Sequence, residues 1–164
     1  MTELPMNENI QGALSSFTYG LYVLTVSAGD VRNAMVASWV SQASYDPPRV
    51  LVGIKKTRLT HDLLDRAERS RFGLMVVQKG KEGELPSLKG NDPEKKFAGR
   101  DVETSASGVP LFTEFLWAME LLLVDRFDAG DHTIFLGEIT DARKTGEGAP
   151  ASTADYGTVY IGRQ

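Results

Sequence analysis

The sequence predicts a single, mainly β domain, an antiparallel barrel or sandwich with a few short helices. Runs of β-branched and aromatic residues recur along the chain, each bounded by glycine, proline or aspartate. Helical periodicity is confined to two short segments. A length of 164 residues fits one domain, with a core that buries on the order of 70% of the unfolded surface. Residues 1–164 are therefore read as one domain, with 1–12 as a flexible or extended N-terminal arm.

The first strand expected is Leu21 to Ser27, ended by the turn Ala28-Gly29-Asp30. Residues Ala34 to Tyr45 alternate: Met35, Ala37, Trp39, Ser41 and Ala43 share one side, with Val36, Ser38, Val40 and Gln42 on the other. Asp46-Pro47-Pro48 ends that strand, because proline donates no ladder hydrogen bond. Val50–Ile54, Phe72–Gln78, Leu116–Phe127, His132–Ala142 and Thr158–Ile161 complete the strands. Leu59, Leu63, Leu64 and Ala67 fall at helical spacing, which predicts an amphipathic helix over 60–69 with His61 as a surface or cap residue. Asp92-Pro93 reads as an N-cap followed by first-turn proline, opening a short helix through Phe97. The polar stretch 79–91 reads as a surface loop.

Composition removes several chemistries. With no cysteine there is no disulfide, thiolate zinc site or iron–sulfur ligation, and two histidines do not make a histidine-rich metal centre. No metal site is expected, so redox work here needs an organic cofactor. The net charge of −4 gives no general attraction to nucleic acid or an anionic membrane. The opening segment is acidic and polar, and the apolar run Leu116–Val124 is short and broken by Glu120. A cytoplasmic protein with no nucleic-acid or membrane partner is expected.

Charge is uneven along the chain. Residues 51–100 carry 12 cations against 7 anions, and residues 101–164 carry 4 against 11. Within the cationic segment, Lys55-Lys56-Thr57-Arg58-Leu59-Thr60 packs the donors that a phosphate requires at the mouth of a helix. The segment Asn33-Ala34-Met35-Val36-Ala37-Ser38-Trp39 sets small residues around a serine and an indole, which lets backbone approach a flat ligand. Gly130-Asp131-His132-Thr133 places a histidine at a strand start, where it can face a cleft. Each signal alone also fits a plain structural role: a capped helix, a half-buried strand, a histidine satisfied by its neighbouring carboxylate. Gly146 to Ala151 fits a loose dinucleotide fingerprint, but its proline argues against a following helix. No phosphate-loop motif and no G-x-S-x-G elbow is present.

Taken in order, these segments resemble the flavin reductase-like family, the FMN-binding split barrels. The resemblance runs over roughly residues 14 to 162. Its most specific part is NAMVASWVSQASYDPPRVLVGI, Asn33 to Ile54, followed by KKTRLTHDLL, EKKFAG, Gly108-Val109-Pro110-Leu111, Glu120 and GDHTIFLGEI. The wording VASWVSQAS is particularly similar to the reductase module of cyanobacterial-type flavodiiron proteins.

The resemblance implies a mainly β, six-stranded Greek-key split β-barrel that forms a homodimer with FMN at the interface. It further implies an NAD(P)H:flavin oxidoreductase: hydride passes from NADH or NADPH to FMN, or FAD, and onward to a flavin- or electron-accepting protein. Carried over, Met35, Val36, Ala37, Ser38 and Trp39 line the isoalloxazine, and Asn33 and Ser38 offer side-chain hydrogen bonds. Lys55, Thr57, Arg58 and Thr60 hold the phosphate, Phe97 closes the pocket, and His132 stands at the flavin face where nicotinamide stacks. Two other readings stay open: a flavoredoxin-like electron carrier reduced by a protein partner, and a non-catalytic ligand-binding barrel.

Overall fold

Two long hairpins and a tight corner shape the molecule. The computed structural model describes residues 6–66 and 68–163. Helix α1 (Glu8–Ser15) is followed by β1 (Tyr22–Ala28), β2 (Val31–Ala37), β3 (Val40–Ser44), β4 (Arg49–Lys55) and α2 (Leu59–Asp65). Then come β5 (Arg71–Val76), a 3-10 helix (Glu82–Leu88), α3 (Pro93–Phe97), β6 (Val102–Thr104) and β7 (Pro110–Phe112). The chain continues through β8 (Trp117–Asp128), β9 (His132–Lys144) and α4 (Thr153–Tyr156).

Seven strands form one antiparallel sheet in the order β2-β1-β5-β8-β9-β4-β3, and β6 and β7 form a separate hairpin. The two edge strands, β2 and β3, are consecutive in the chain and joined only by Ser38 and Trp39. Both ends of the sheet must therefore lie side by side, which curls it into a barrel left unpaired at that seam. This is the split barrel that the resemblance implies.

Burial explains the apolar runs. Leu24, Val26, Val52, Ile54, Phe72, Leu74, Leu121 and Phe135 fill the barrel interior. The opposite faces of β1 and β5 carry Val23 and Met75 into a second core, with Leu85, Leu88, Phe97, Phe112 and Phe115 packed over them. Strands buried on both faces read as continuous hydrophobic stretches rather than alternating ones, as β1 and β5 do.

Several expectations are revised. The strand expected over 34–45 is two strands with a corner at Ser38–Trp39, so the main sheet has seven strands rather than six. Gly53 allows that corner: a Cβ there would lie 3.2 Å from Trp39 Cε3. Thr158–Ile161 pairs with no strand. The loop 79–91 contains the 3-10 helix, whose Leu85 and Leu88 are buried; their spacing of three is the 3-10 period. His61 is buried rather than superficial, with Nε2 2.7 Å from Thr133 Oγ1 and its ring edge-on to Phe135 at 5.2 Å. The helix expected over 60–69 ends at Asp65, and Ala67 lies outside the described residues. Of the arm expected over 1–12, residues 1–5 lie outside the described residues, and the chain is helical from Glu8. Asn7 caps that helix by accepting from the Asn9 N–H at 2.8 Å, and no residue of the helix is buried.

Candidate active site

One cavity of about 850 Å³ opens beside the seam. Its long wall is β2 and the corner: Asn33, Met35, Val36, Ala37, Ser38 and Trp39 all line it, with Gly53 beneath the indole. Lys55, Thr57, Arg58 and Thr60 line it from the β4–α2 connection. The β4 strand ends at Lys55 opposite His132 in the β4–β9 ladder, and this register aims the 55–60 loop across the mouth of the barrel. Two segments far apart in sequence thus share one concavity, because the edge strands meet there.

A hydrogen-bonded group holds the inner end. Asn33 is buried; its Nδ2 donates to Thr60 Oγ1 at 2.9 Å, and its Oδ1 accepts from Lys96 Nζ at 3.1 Å. Lys96 Nζ also donates to the Ala34 carbonyl at 2.9 Å. Lys96 is only 6% exposed. Burial, and then the neighbouring Arg58 charge, hold its pKa below the ordinary lysine value. Lys96 reaches the site from α3, brought there by tertiary packing; the weak signal for it in the sequence is the EKKFAG stretch.

An aromatic stack closes the outer end. The Trp39 ring centroid lies 4.4 Å from His132 and 5.1 Å from Tyr160. Trp39 Nε1 donates to the Tyr160 carbonyl at 3.1 Å, and Lys55 Nζ donates to the Gly162 carbonyl at 3.0 Å. His132 Nε2 lies 3.0 Å from the Tyr160 hydroxyl and Nδ1 lies 2.7 Å from Asp131 Oδ1. The Asp131 carboxyl is held below the usual carboxylate range, chiefly by its hydrogen bond to His132. Burial raises the pKa of the Tyr160 phenol.

The residues singled out from sequence do not all converge. His132 is 3% exposed and lies behind Trp39 rather than on the cavity lining. Phe97 is likewise in the core, 5.1 Å from Phe112, with the Arg32 guanidinium over its ring at 4.0 Å. Residues that sequence reasoning passed over do line the cavity: Lys89, Gly90 and Asn91 after the 3-10 helix, and Tyr156 and Thr158 near the C-terminus. The buried Leu88 is what carries Lys89 to the rim.

Comparison with known proteins agrees with this architecture. Residues 14–163 match the family described as flavin reductase like domain. High molecular weight rubredoxin of Moorella thermoacetica is 35% identical over 92% of this chain and 66% of its own length. Diflavin flavoprotein A 1 of Synechocystis is 33% identical over 84% of this chain and 24% of its own length. The chain thus spans about two thirds of the one relative and a quarter of the other. Among solved structures, the NADH:FAD oxidoreductase SgcE6 of Streptomyces globisporus superposes with a TM-score of 0.80 at 25% identity, covering 93% of this chain and 92% of that one. A match across nearly the whole chain, on a split barrel with its cavity at the seam, makes this protein a member of the flavin reductase-like family.

Proposed function

We propose that the protein is an NAD(P)H-dependent flavin reductase that binds FMN in the seam cavity and accepts hydride from NADH or NADPH. The observation that carries this reading is the union, in one cavity of about 850 Å³, of the 33–39 strand wall with the 55–60 cationic loop. That size lies within the range of pockets that enclose cofactors, and the donor set suits a flavin phosphate. When bound, FMN supplies the ring that takes hydride directly from a reduced nicotinamide.

The chain's own residues bind, orient and exclude water. The small side chain of Ala37 leaves the β2 backbone open to a flat ring, while Met35 and Val36 add apolar surface. Lys55, Thr57, Arg58 and Thr60 offer charge and hydroxyl groups to the phosphate. His132, tied to Asp131 and Tyr160, acts as a positioning residue that fixes Trp39 and Tyr160 at the outer end. Such work requires stacking of two rings and exclusion of water, and no acid, thiol or metal. A homodimer with flavin at the interface follows the same reading, since β2 and β3 leave the seam unpaired beside the cavity.

A second reading, an electron carrier reduced by a protein partner, is favoured by the relatives in which a similar segment is only a quarter of a diflavin flavoprotein. One experiment separates the two. The purified protein is mixed with FMN without oxygen, and the visible spectrum is followed after NADH or NADPH. Fast bleaching that is lost in a Lys55→Ala/Thr60→Ala double variant supports the reductase. A bound flavin that stays oxidised with both nucleotides supports the carrier. Absence of flavin binding overturns both.

A further inference from the structure

The outer end of the cavity is closed by a segment that the fold itself hardly holds. Residues 158–163 join no strand and, among the described residues, make no backbone–backbone hydrogen bond. Helix α4, just before them, is fixed: the Thr153 N–H donates to the Tyr19 carbonyl at 2.8 Å, and Ser152 and Asp155 form a capping box. Between helix and segment stands Gly157 at φ +83°, a left-handed conformation that glycine adopts without strain. Beyond it, side chains of the cavity fasten the segment. Trp39 Nε1 donates to the Tyr160 carbonyl, Lys55 Nζ donates to the Gly162 carbonyl, and the Tyr160 hydroxyl meets His132 Nε2. Arg58 also reaches that hydroxyl. Gly162 fits closely: a Cβ there would lie 3.4 Å from His132 Cε1 and 3.5 Å from Trp39 Cη2.

From this we infer that residues 158–163 are a displaceable strap, hinged at Gly157, that competes with the cavity's ligand for Trp39 and Lys55. This rests on the flavin reading above and adds to it a competitor built into the chain. An indole has one N–H donor, so Trp39 cannot serve the Tyr160 carbonyl and a ligand at once. Tyr160 lines the cavity with its ring 5.1 Å from that of Trp39, where it keeps out another flat ring. The Gly162 carbonyl gives Lys55 a neutral acceptor where an anion would bind more strongly, because Coulomb attraction adds to the hydrogen bond. Every contact that fastens the strap is thus one that a ligand can replace. The apparent affinity of the cavity is then reduced by the fraction of molecules whose strap is open.

The chain has no cysteine, so Ile161→Cys gives the half-buried middle of the strap a unique thiol. Its labelling rate with a maleimide is measured with and without saturating FMN, and again with Tyr160→Ala or Tyr160→Phe added. FMN dissociation constants are measured by flavin fluorescence quenching on wild type and on both Tyr160 variants. FMN is expected to speed labelling about 3–10-fold, the factor for a strap closed in about 70–90% of molecules. Tyr160→Ala is expected to speed labelling without FMN, and to tighten FMN binding, by the same factor. Tyr160→Phe keeps the ring and loses the bond to His132, so it is expected to fall between; it serves alone if Tyr160→Ala does not fold. Labelling that FMN slows or leaves unchanged would make the segment a fixed wall and overturn the inference. Weaker or unchanged FMN binding in the Tyr160 variants would overturn it as well, and in both events the flavin reading stands. If no flavin binds to any of these proteins, the flavin reading falls and labelling without FMN decides the strap. A faster rate in the Tyr160 variants then upholds it, and an unchanged rate overturns it.

Discussion

Removing the Asn33 side chain tests the inner end of the site without any ligand. Asn33→Ala deletes the 2.9 Å donor to Thr60 Oγ1 and the 3.1 Å acceptor of Lys96 Nζ, both buried. A neutral hydrogen bond contributes about 0.5–1.5 kcal/mol and one to a charged group about 1.5–3 kcal/mol. The expected loss is therefore about 2–4.5 kcal/mol, or roughly 4–18 °C in melting temperature for a chain of this size. Urea denaturation followed by tryptophan fluorescence measures it directly. Most of the cost comes from the stranded ammonium, so Lys96→Met, made in the same background, should relieve it. Asn33→Ala in a Lys96→Met protein is expected to cost only about 1 kcal/mol, which leaves a coupling of about 2 kcal/mol between the two residues. If the single changes add to within about 0.5 kcal/mol, the Asn33–Lys96 bond contributes nothing and the reasoning is refuted.

Two further outcomes follow from the same structure. Burial and Arg58 lower the pKa of Lys96, so between that value and the unfolded lysine value of 10.5 the unfolded chain binds more protons. Wild-type stability should rise with pH across that window relative to Lys96→Met, whereas the raised Tyr22 and Tyr160 pKa values lower stability above pH 10.0 in both proteins; denaturation series at stepped pH give the comparison. In the barrel interior, a Cβ on Gly137 would lie 2.7 Å from Phe72 Cζ and 3.1 Å from Leu121 Cδ2, and Phe72 is fully buried. Gly137→Ala should cost about 1–3 kcal/mol by overpacking, read from the urea midpoint at unchanged slope.

What the sequence disclosed depended on how local each feature was. The β1–β2 and β8–β9 hairpins are written in neighbouring residues, through β-branched runs and the turns at Gly29 and Gly130, and both pair as that pattern implies. The strand wall from Asn33 to Trp39 and the loop from Lys55 to Thr60 were legible because each is one continuous segment that lies against the cavity. The corner at Ser38–Trp39 was not, since alternation continues through it and only closure of the sheet forces the bend. The resemblance implies that Phe97 closes the pocket and His132 stands at the flavin face; neither lines the cavity, and their rings pack against Phe112 and Trp39. Residues 158–161 have a strand's composition but form no ladder; side-chain bonds from Trp39 to the Tyr160 carbonyl and from Lys55 to the Gly162 carbonyl just beyond hold the segment instead. Lys96 reaches the site through contacts to Asn33 and the Ala34 carbonyl, 63 and 62 residues away, and the EKKFAG stretch signals it only weakly.

Because the lining combines β2, the β4–α2 loop, the Lys89–Lys96 stretch and the segment from Thr153 to Tyr160, segments far apart in the chain contribute to one concavity. No fragment of the chain presents the whole site, so whatever binds there binds the folded state and not the unfolded chain. Occupancy then acts as a thermodynamic weight on folding, adding about 2.7 kcal/mol at a free ligand concentration 100 times the dissociation constant. The protein's lifetime in a cell would in that case track its ligand supply, with the vacant form turned over faster than the filled one.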